Sequence, residues 1–254
     1  MNKIICGDCV KVLKTMSKEY VDLTVTSPPY DDLRTYKGYS FDFEALAKEL
    51  FRVTKEGGVV VWVVGDQTIN GDESGNSFKQ ALYFKEIGFK LHDTMIYEKK
   101  GLRYAESIRY YQCFEYMFVL AKGKIKTFNP LRDRENKSFG LIRQRFAGER
   151  GKDGRLIKKF LEGKKYIVPK YGIRRNIWSY VTNRGNIRGH PAQFPVKLAG
   201  EHILSWSNER DLVLDPMCGS GTTCKAAKLL KRNYIGIDIS PDYCKLAESR
   251  LCRI

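Results

Sequence analysis

Two short runs of residues hold most of the chemistry this chain can offer, and they lie far apart in it. Near the start, Thr26-Ser27-Pro28-Pro29-Tyr30 closes the apolar run Val21 to Val25. Two prolines stiffen the backbone and remove its N–H donors. The Ser27 hydroxyl and the Pro28 carbonyl are thereby offered as preorganised acceptors, beside the flat ring of Tyr30. Taken alone, the run also reads as an ordinary proline-rich loop. Near the other end, Asp215-Pro216-Met217-Cys218-Gly219-Ser220-Gly221-Thr222-Thr223 follows the apolar run Leu212 to Leu214. Glycines after a strand let backbone approach a ligand where a side chain would clash. No Lys-Ser/Thr follows Gly221, which counts against an NTPase. One helix later, Tyr234 to Ile237 ends in Asp238, a carboxylate suited to accept from the two hydroxyls of a ribose. Adenosyl cofactors and NAD share that need. In open α/β sheets ligands bind at such strand exits, so the two runs together outweigh either alone.

Other chemistries find little support. The three histidines, His92, His190 and His202, show no triad or metal-ligand spacing. Cys6-Gly7-Asp8-Cys9 matches C-x-x-C, but no second pair completes a zinc site, so no metal is expected. Seven cysteines without a framework spacing read as reduced thiols of a cytoplasmic protein. No Pro-Cys dipeptide offers a thiol nucleophile in a loop of the Ser27 type. No apolar run approaches the ~18–20 residues that span a bilayer, and the first residues lack a signal-peptide core.

These residues need a scaffold. Seven strand-length apolar runs, Lys3–Ile5, Asp22–Thr26, Val59–Val64, Phe89–Tyr97, Phe114–Leu120, Leu212–Asp215 and Tyr234–Ile237, alternate with helical patterns. The pattern at Phe43, Leu46, Ala47, Leu50 and Phe51 is one apolar face of a helix. Further helices are expected over 78–87, 194–206, 222–230 and 242–251. This alternation predicts an α/β fold built on a seven-stranded, mostly parallel, doubly wound sheet, with Phe89–Leu120 forming an antiparallel edge. The segment 125–185 breaks the periodicity and reads as an insertion between a half formed by 1–124 and a half formed by 186–254. Charge marks the same place: of a net +16, the stretch Lys122 to Arg188 carries +15, from 20 Lys and Arg against 5 Asp and Glu. Such a concentration suits a polyanion, although a solvated charged insertion would show it too. Interleaved aromatics and amides favour nucleic acid, with Arg143, Arg145, Arg174, Arg175 and Trp178 as candidate contacts.

The Ser27-to-Tyr30 and Asp215-to-Thr223 motifs resemble those of the DNA amino-methyltransferases. Their order, the first before the second, is that of the family's circularly permuted β group. The resemblance covers nearly the whole chain except the basic segment; Met217 stands where the family usually has Phe, an adequate apolar replacement. It implies a Rossmann-like methyltransferase fold and S-adenosylmethionine as cofactor. The implied cofactor residues are Asp8 (on the adenine amine), Asp215, Pro216, Met217, Gly219, Gly221, Thr222, Asp238, and Phe194 with Pro195 on the methionine side. Ser27, Pro28, Pro29 and Tyr30 are the implied catalytic residues. The substrate is an exocyclic amine whose lone pair is delocalised into the ring; acceptors around it favour a tetrahedral, nucleophilic nitrogen. The base must leave the stack to react. Within the family, Ser at the first motif position goes mostly with cytosine N4 and Asp mostly with adenine N6, so cytosine N4 in double-stranded DNA is expected, ahead of adenine N6; an RNA methyltransferase and a non-catalytic nucleic-acid-binding protein are the more distant alternatives. The resemblance also implies that the basic segment recognises the target site, that a cognate restriction endonuclease is a candidate partner, and that the protein is a monomer or homodimer.

Overall fold

The computed structural model describes residues 1–29, 42–101, 108–151, 153, 155–181 and 194–252. The chain divides into two compact units, one of residues 1–129 with 176–254 and one of residues 130–175. In chain order the first unit contributes β1 (Lys3–Cys6), α1 (Cys9–Lys14), β2 (Val21–Thr26), α2 (Phe43–Val53), β3 (Thr54–Val64), the short β4 (Thr68–Ile69) and β5 (Asp72–Glu73), α3 (Asn76–Glu86), β6 (Lys90–Lys100) and β7 (Phe114–Ala121). The second unit holds β8 (Arg132–Glu135), β9 (Ile142–Arg150), β10 (Leu156–Ile167) and β11 (Tyr171–Ile173). The chain then returns to the first unit with β12 (Ile177–Val181), α4 (Val196–Trp206), β13 (Leu212–Asp215), α5 (Thr222–Leu229), β14 (Asn233–Asp238) and α6 (Pro241–Leu251).

Eight of these strands form one sheet in the order β1-β14-β13-β2-β3-β7-β6-β12. Only β7 runs against its neighbours, pairing antiparallel with both β3 and β6. All seven expected strands are present, and β12 is an eighth. Ile177–Val181 was expected to belong to the insertion; instead it pairs parallel with β6 and becomes the edge. Its alternating burial explains why: Trp178 and Tyr180 are buried while Ile177, Ser179 and Val181 face out. β3 also begins earlier than expected, running straight on from α2 and through Gly57 and Gly58.

Helices α1, α2 and α3 contact one another in one layer, and α4, α5 and α6 in another, the arrangement that buries a parallel sheet on both faces. The amphipathic pattern of α2 turns Leu46, Ala47, Leu50 and Val53 inward. They meet Val60, Trp62 and Val64 of β3, Leu212 and Leu214 of β13, and Ile235 and Ile237 of β14. Asp42 caps α2, accepting from Ala45 N at 3.0 Å. Asp66, past the end of β3, accepts from Ser77 N at 2.9 Å and ties down the start of α3. Ser240 and Pro241 open α6 as a cap and a first-turn proline. No helix among the described residues is long and apolar enough to cross a membrane.

The second unit is two antiparallel ribbons, β9 with β10 and β8 with β11. From the sequence it carries fifteen Lys and Arg against five Asp and Glu, a net of +10.

Candidate active site

Four adjacent parallel strands, β1, β14, β13 and β2, deliver their carboxyl ends to one edge of the sheet. Cys6 lies beside Asp238, and Asp215 beside Gly236; Leu214 lies beside Thr24 of β2. The chain therefore leaves these strands side by side as Gly7-Asp8, Ile239-Ser240, Pro216 to Gly221, and Ser27-Pro28-Pro29. One buried hydrogen bond joins the two motifs of the sequence: Thr26 Oγ1 donates to Asp215 Oδ1 at 2.8 Å, across 189 residues of chain. A second link follows in α5, where Thr223 Oγ1 donates to the Val25 carbonyl at 3.1 Å.

Asp215 is 3% exposed. Burial pushes its carboxyl up to about 6, against the pull of hydrogen bonds from Thr26, Thr223 and the Met217 backbone. The same Oδ1 accepts from Met217 N at 3.2 Å, so one buried carboxylate fixes both the strand exit and the first residues of the turn. Asp238 fastens the turn from the other side: its Oδ2 accepts from Gly219 N at 2.8 Å and its Oδ1 from Ser240 N at 2.9 Å. Burial raises its pKa as well. Asp8 caps α1, accepting from Lys11 N at 2.8 Å. Each oxygen of Asp238 can accept a further hydrogen bond, as can Asp8.

The two turn glycines have different reasons. Gly219 takes a left-handed φ of 49° and presents its N–H to Asp238. Gly221, with φ 75°, is needed for packing: a Cβ there would lie 2.8 Å from the Ala247 Cβ of α6. The close approach seen at Gly221 is between the start of α5 and α6. Thr222 follows at the start of α5, and its buried Oγ1 has no hydrogen-bond partner among the described residues. Pro216 is buried and Met217 half-buried, packed on the hydrophobic core. Pro28 is buried, with Ser27 and Pro29 half-buried beside it. Tyr30 lies outside the described residues. Phe194 and Pro195 are half-buried at the start of α4, a helix that packs on α5 and β2, the elements that carry the two motifs.

Several residues of this arrangement were not singled out from the sequence. Thr26 and Thr223 carry the cross-links. Gly236 leaves room for Ile4, Cys218 and Cys224, since a Cβ would meet their side chains at 2.7 to 3.0 Å. Arg250 of α6 donates from Nη1 to Ser220 Oγ at 2.7 Å and to its carbonyl, bracing the turn. The threonines had a signal, being polar residues inside an apolar strand and at a helix start.

The candidate nucleic-acid contacts fall in different settings. Arg143 and Arg145 are exposed on β9; Arg143 Nη2 donates to Ser138 Oγ at 2.9 Å, and the Arg145 guanidinium stands 5.8 Å from the Tyr166 ring. Arg175 is exposed, whereas Arg174 is half-buried and donates from Nε to Asp133 at 2.8 Å. Trp178 does not fit the expectation. It is 6% exposed, with its ring stacked on buried His202 at 4.5 Å between centroids. Period-two alternation along β12 turns it toward α4, so it is a packing residue.

A family model described as DNA methylase, of the N6/N4 type, matches residues 21–249. The chain is 55% identical over 251 residues to the orphan methyltransferase M.BamHII of Bacillus amyloliquefaciens, spanning 96% of this chain and 90% of that one. It is 27% identical to the type II methyltransferase M.HpaI of Haemophilus parainfluenzae, over 98% of this chain and 74% of the relative. Among solved structures, the PvuII DNA methyltransferase (cytosine-N4-specific) superposes with a TM-score of 0.70 at 20% identity, covering 97% of this chain and 85% of the other. The M1.HpyAVI–SAM complex superposes with a TM-score of 0.64 at 22% identity, covering 98% and 99%. At these identities the likeness to the solved structures is one of fold.

Proposed function

This chain belongs to the DNA methylase family of N6 and N4 amino-methyltransferases, which use S-adenosylmethionine, and we propose that it methylates the N4 amine of cytosine at specific sites in double-stranded DNA. The observation that carries the reading is the buried Thr26–Asp215 hydrogen bond. It sets an acceptor loop and a glycine turn on adjacent strand exits, where an amine and a methyl donor would have to meet.

The residues present suit the cofactor. Thr222 Oγ1 is buried in the turn without a partner among the described residues, Asp238 has acceptor capacity toward a ribose, and Met217 offers an apolar wall. When bound, the cofactor supplies a methyl group activated by a positively charged sulfonium. The protein's task is then placement and exclusion of water. Asp215 and Asp238 hold the turn against the strand ends through backbone N–H groups. Opposite, Ser27 Oγ and the Pro28 carbonyl accept hydrogen bonds from the amine and favour its pyramidal form. Its lost proton passes to an acceptor on this loop or to water. Tyr30 provides a face on which the extruded base stacks. Cytosine is favoured because Ser stands first in the motif, the residue the family associates mostly with that base.

The +10 unit is the proposed target-recognition region, with Arg143, Arg145, Arg174 and Arg175 as contacts to phosphates or base edges. The deciding experiment incubates the protein with mixed unmethylated DNA and methyl-labelled cofactor, then digests to nucleosides. Label in N4-methyldeoxycytidine is expected. Label in N6-methyldeoxyadenosine would move the target to adenine, and label in RNA but not in duplex DNA would overturn the substrate class.

A further inference from the structure

The connection from β6 to β7 leaves the sheet at the edge that carries Ser27. β3 runs parallel to β2, β7 antiparallel to β3, and β6 antiparallel to β7, so β6 ends where β2 ends. Counting strands spaced about 4.8 Å apart, the starts of β7 and the end of β6 lie roughly 10 and 14 Å along that edge from the β2 exit. The major groove of a duplex is about 12 Å wide, so a DNA whose base enters the Ser27 loop would also cover this connection.

Its described residues include three large side chains in water. Ile108 is 85% exposed, Tyr110 100% and Tyr111 55%. Between them Arg109 is anchored: Nη2 donates to the Gly71 carbonyl and Nη1 reaches Glu73 Oε1 at 3.5 Å. Gly71 and Glu73 belong to the β4–β5 hairpin, turned by Asn70 and Gly71 at φ 50° and 84°. Tyr110 is thus held out from a fixed base while burying nothing. Folding gives no reason for that placement. The sequence from Lys100 to Tyr111 adds three basic residues against one acidic, which suits a polyanion better than a second copy of this basic chain.

Extruding a base leaves a gap in the stack, and proteins that open a base step fill it with inserted side chains. We propose that Tyr110 enters the base stack of duplex DNA beside the target and occupies the place the extruded base leaves, with Arg109 anchoring the segment that carries it. This inference rests on the DNA-methylation reading above.

The test compares Tyr110→Ala, Tyr110→Trp and Leu82→Ala with the wild type on native and heat-denatured unmethylated genomic DNA, using labelled cofactor. Base–aromatic stacking sets the scale: Tyr110→Ala should lower kcat/KM on native DNA roughly five- to hundredfold, and Tyr110→Trp should restore most of it. Leu82, 63% exposed on α3, should be replaceable without effect. The loss should shrink on denatured DNA, where no stack must be refilled. Wild-type turnover by Tyr110→Ala on native DNA, or the same loss on both DNAs, would overturn the inference. A wild type that methylates neither DNA would overturn the reading beneath it as well.

Discussion

Replacing Asp215 with Asn separates what this carboxylate does for the fold from what it does for the site. Its pKa rises from an ordinary 3.8 to about 6, chiefly by burial. Keeping it ionised at neutral pH therefore costs about 3 kcal/mol of stability. Asn keeps the geometry. Its Oδ1 still accepts from Thr26 and Met217, and its Nδ2 can donate to the Thr223 hydroxyl, which itself donates to Val25. The expected gain at pH 8 is about 1–3 kcal/mol, or ~2–10 °C in Tm for a chain of this size. The sign of the pH dependence follows from linkage. Between about pH 4 and pH 6 the folded wild type holds a proton that the unfolded chain has released. Wild-type stability from this group thus falls as pH rises through that window and stays low above it. The Tm difference, Asn variant minus wild type, should be near zero at pH 4 and complete by pH 7, read by thermal denaturation across the range. The same variant should bind S-adenosylmethionine more weakly by calorimetry at pH 8, having lost a negative charge near a sulfonium. A Tm difference independent of pH, or a wild type more stable than the variant at pH 8, would refute the assignment of the burial cost to Asp215.

Three further outcomes are expected. Ser27→Ala should reduce turnover roughly hundredfold, the scale of losing one preorganised contact to a reacting group, while cofactor affinity by calorimetry stays within about twofold; parallel loss of both would remove Ser27 from the base side of the site. Arg143→Ala and Arg145→Ala should sort by salt titration of DNA affinity, each phosphate contact lowering the log–log slope by about 0.9 and each base contact leaving the slope but relaxing specificity at one position. His202 is fully buried and its pKa is pushed down to about 3, so the fold loses stability as pH falls below about 6.5, the unfolded value, by about 2 kcal/mol at pH 5. His202→Phe should flatten that acid limb of the Tm curve, and an unchanged limb would place the sensitivity elsewhere.

The scaffold was legible because its strands are apolar runs punctuated by glycine, proline and aspartate, and its longer helices carry one-sided stripes. Every expected strand lies in the sheet for that reason. β12 was missed because Arg174, Arg175 and Asn176 precede it and colour the segment as basic insertion. The strict alternation of Ile177, Trp178, Ser179, Tyr180 and Val181 was the better signal, and it also decided the fate of Trp178. An aromatic among arginines suggests base contact. Period two, with Glu201 taking the Tyr180 hydroxyl and His202 under the Trp178 ring, gives a buried face instead. At the glycine turn the residue types were legible but not their division of labour. Only the packing of α6 shows that Gly221 yields space to Ala247 and that Arg250 braces Ser220, because those partners are remote in sequence.

The order of the motifs along the chain, which looks inverted against the non-permuted pattern, has a simple structural meaning. The site is a property of neighbours in the sheet. β1, from the start of the chain, pairs with β14 from near its end, and Asn2 N donates to the Tyr234 carbonyl at 2.9 Å to extend that pairing. β2 lies next to β13, locked by Thr26 and Asp215. Two strands from near the end of the sequence thus lie side by side between two from its start, and all four exit at the same edge. Cutting and rejoining the chain elsewhere would leave those contacts intact, since none depends on which strand is made first. Long-range bonds join the strand that leads into Ser27 and Pro28 to β13 and α5. That coupling gives a carboxylate as costly to bury as Asp215 its place at the joint: it accepts from the strand end of one motif and from the turn of the other.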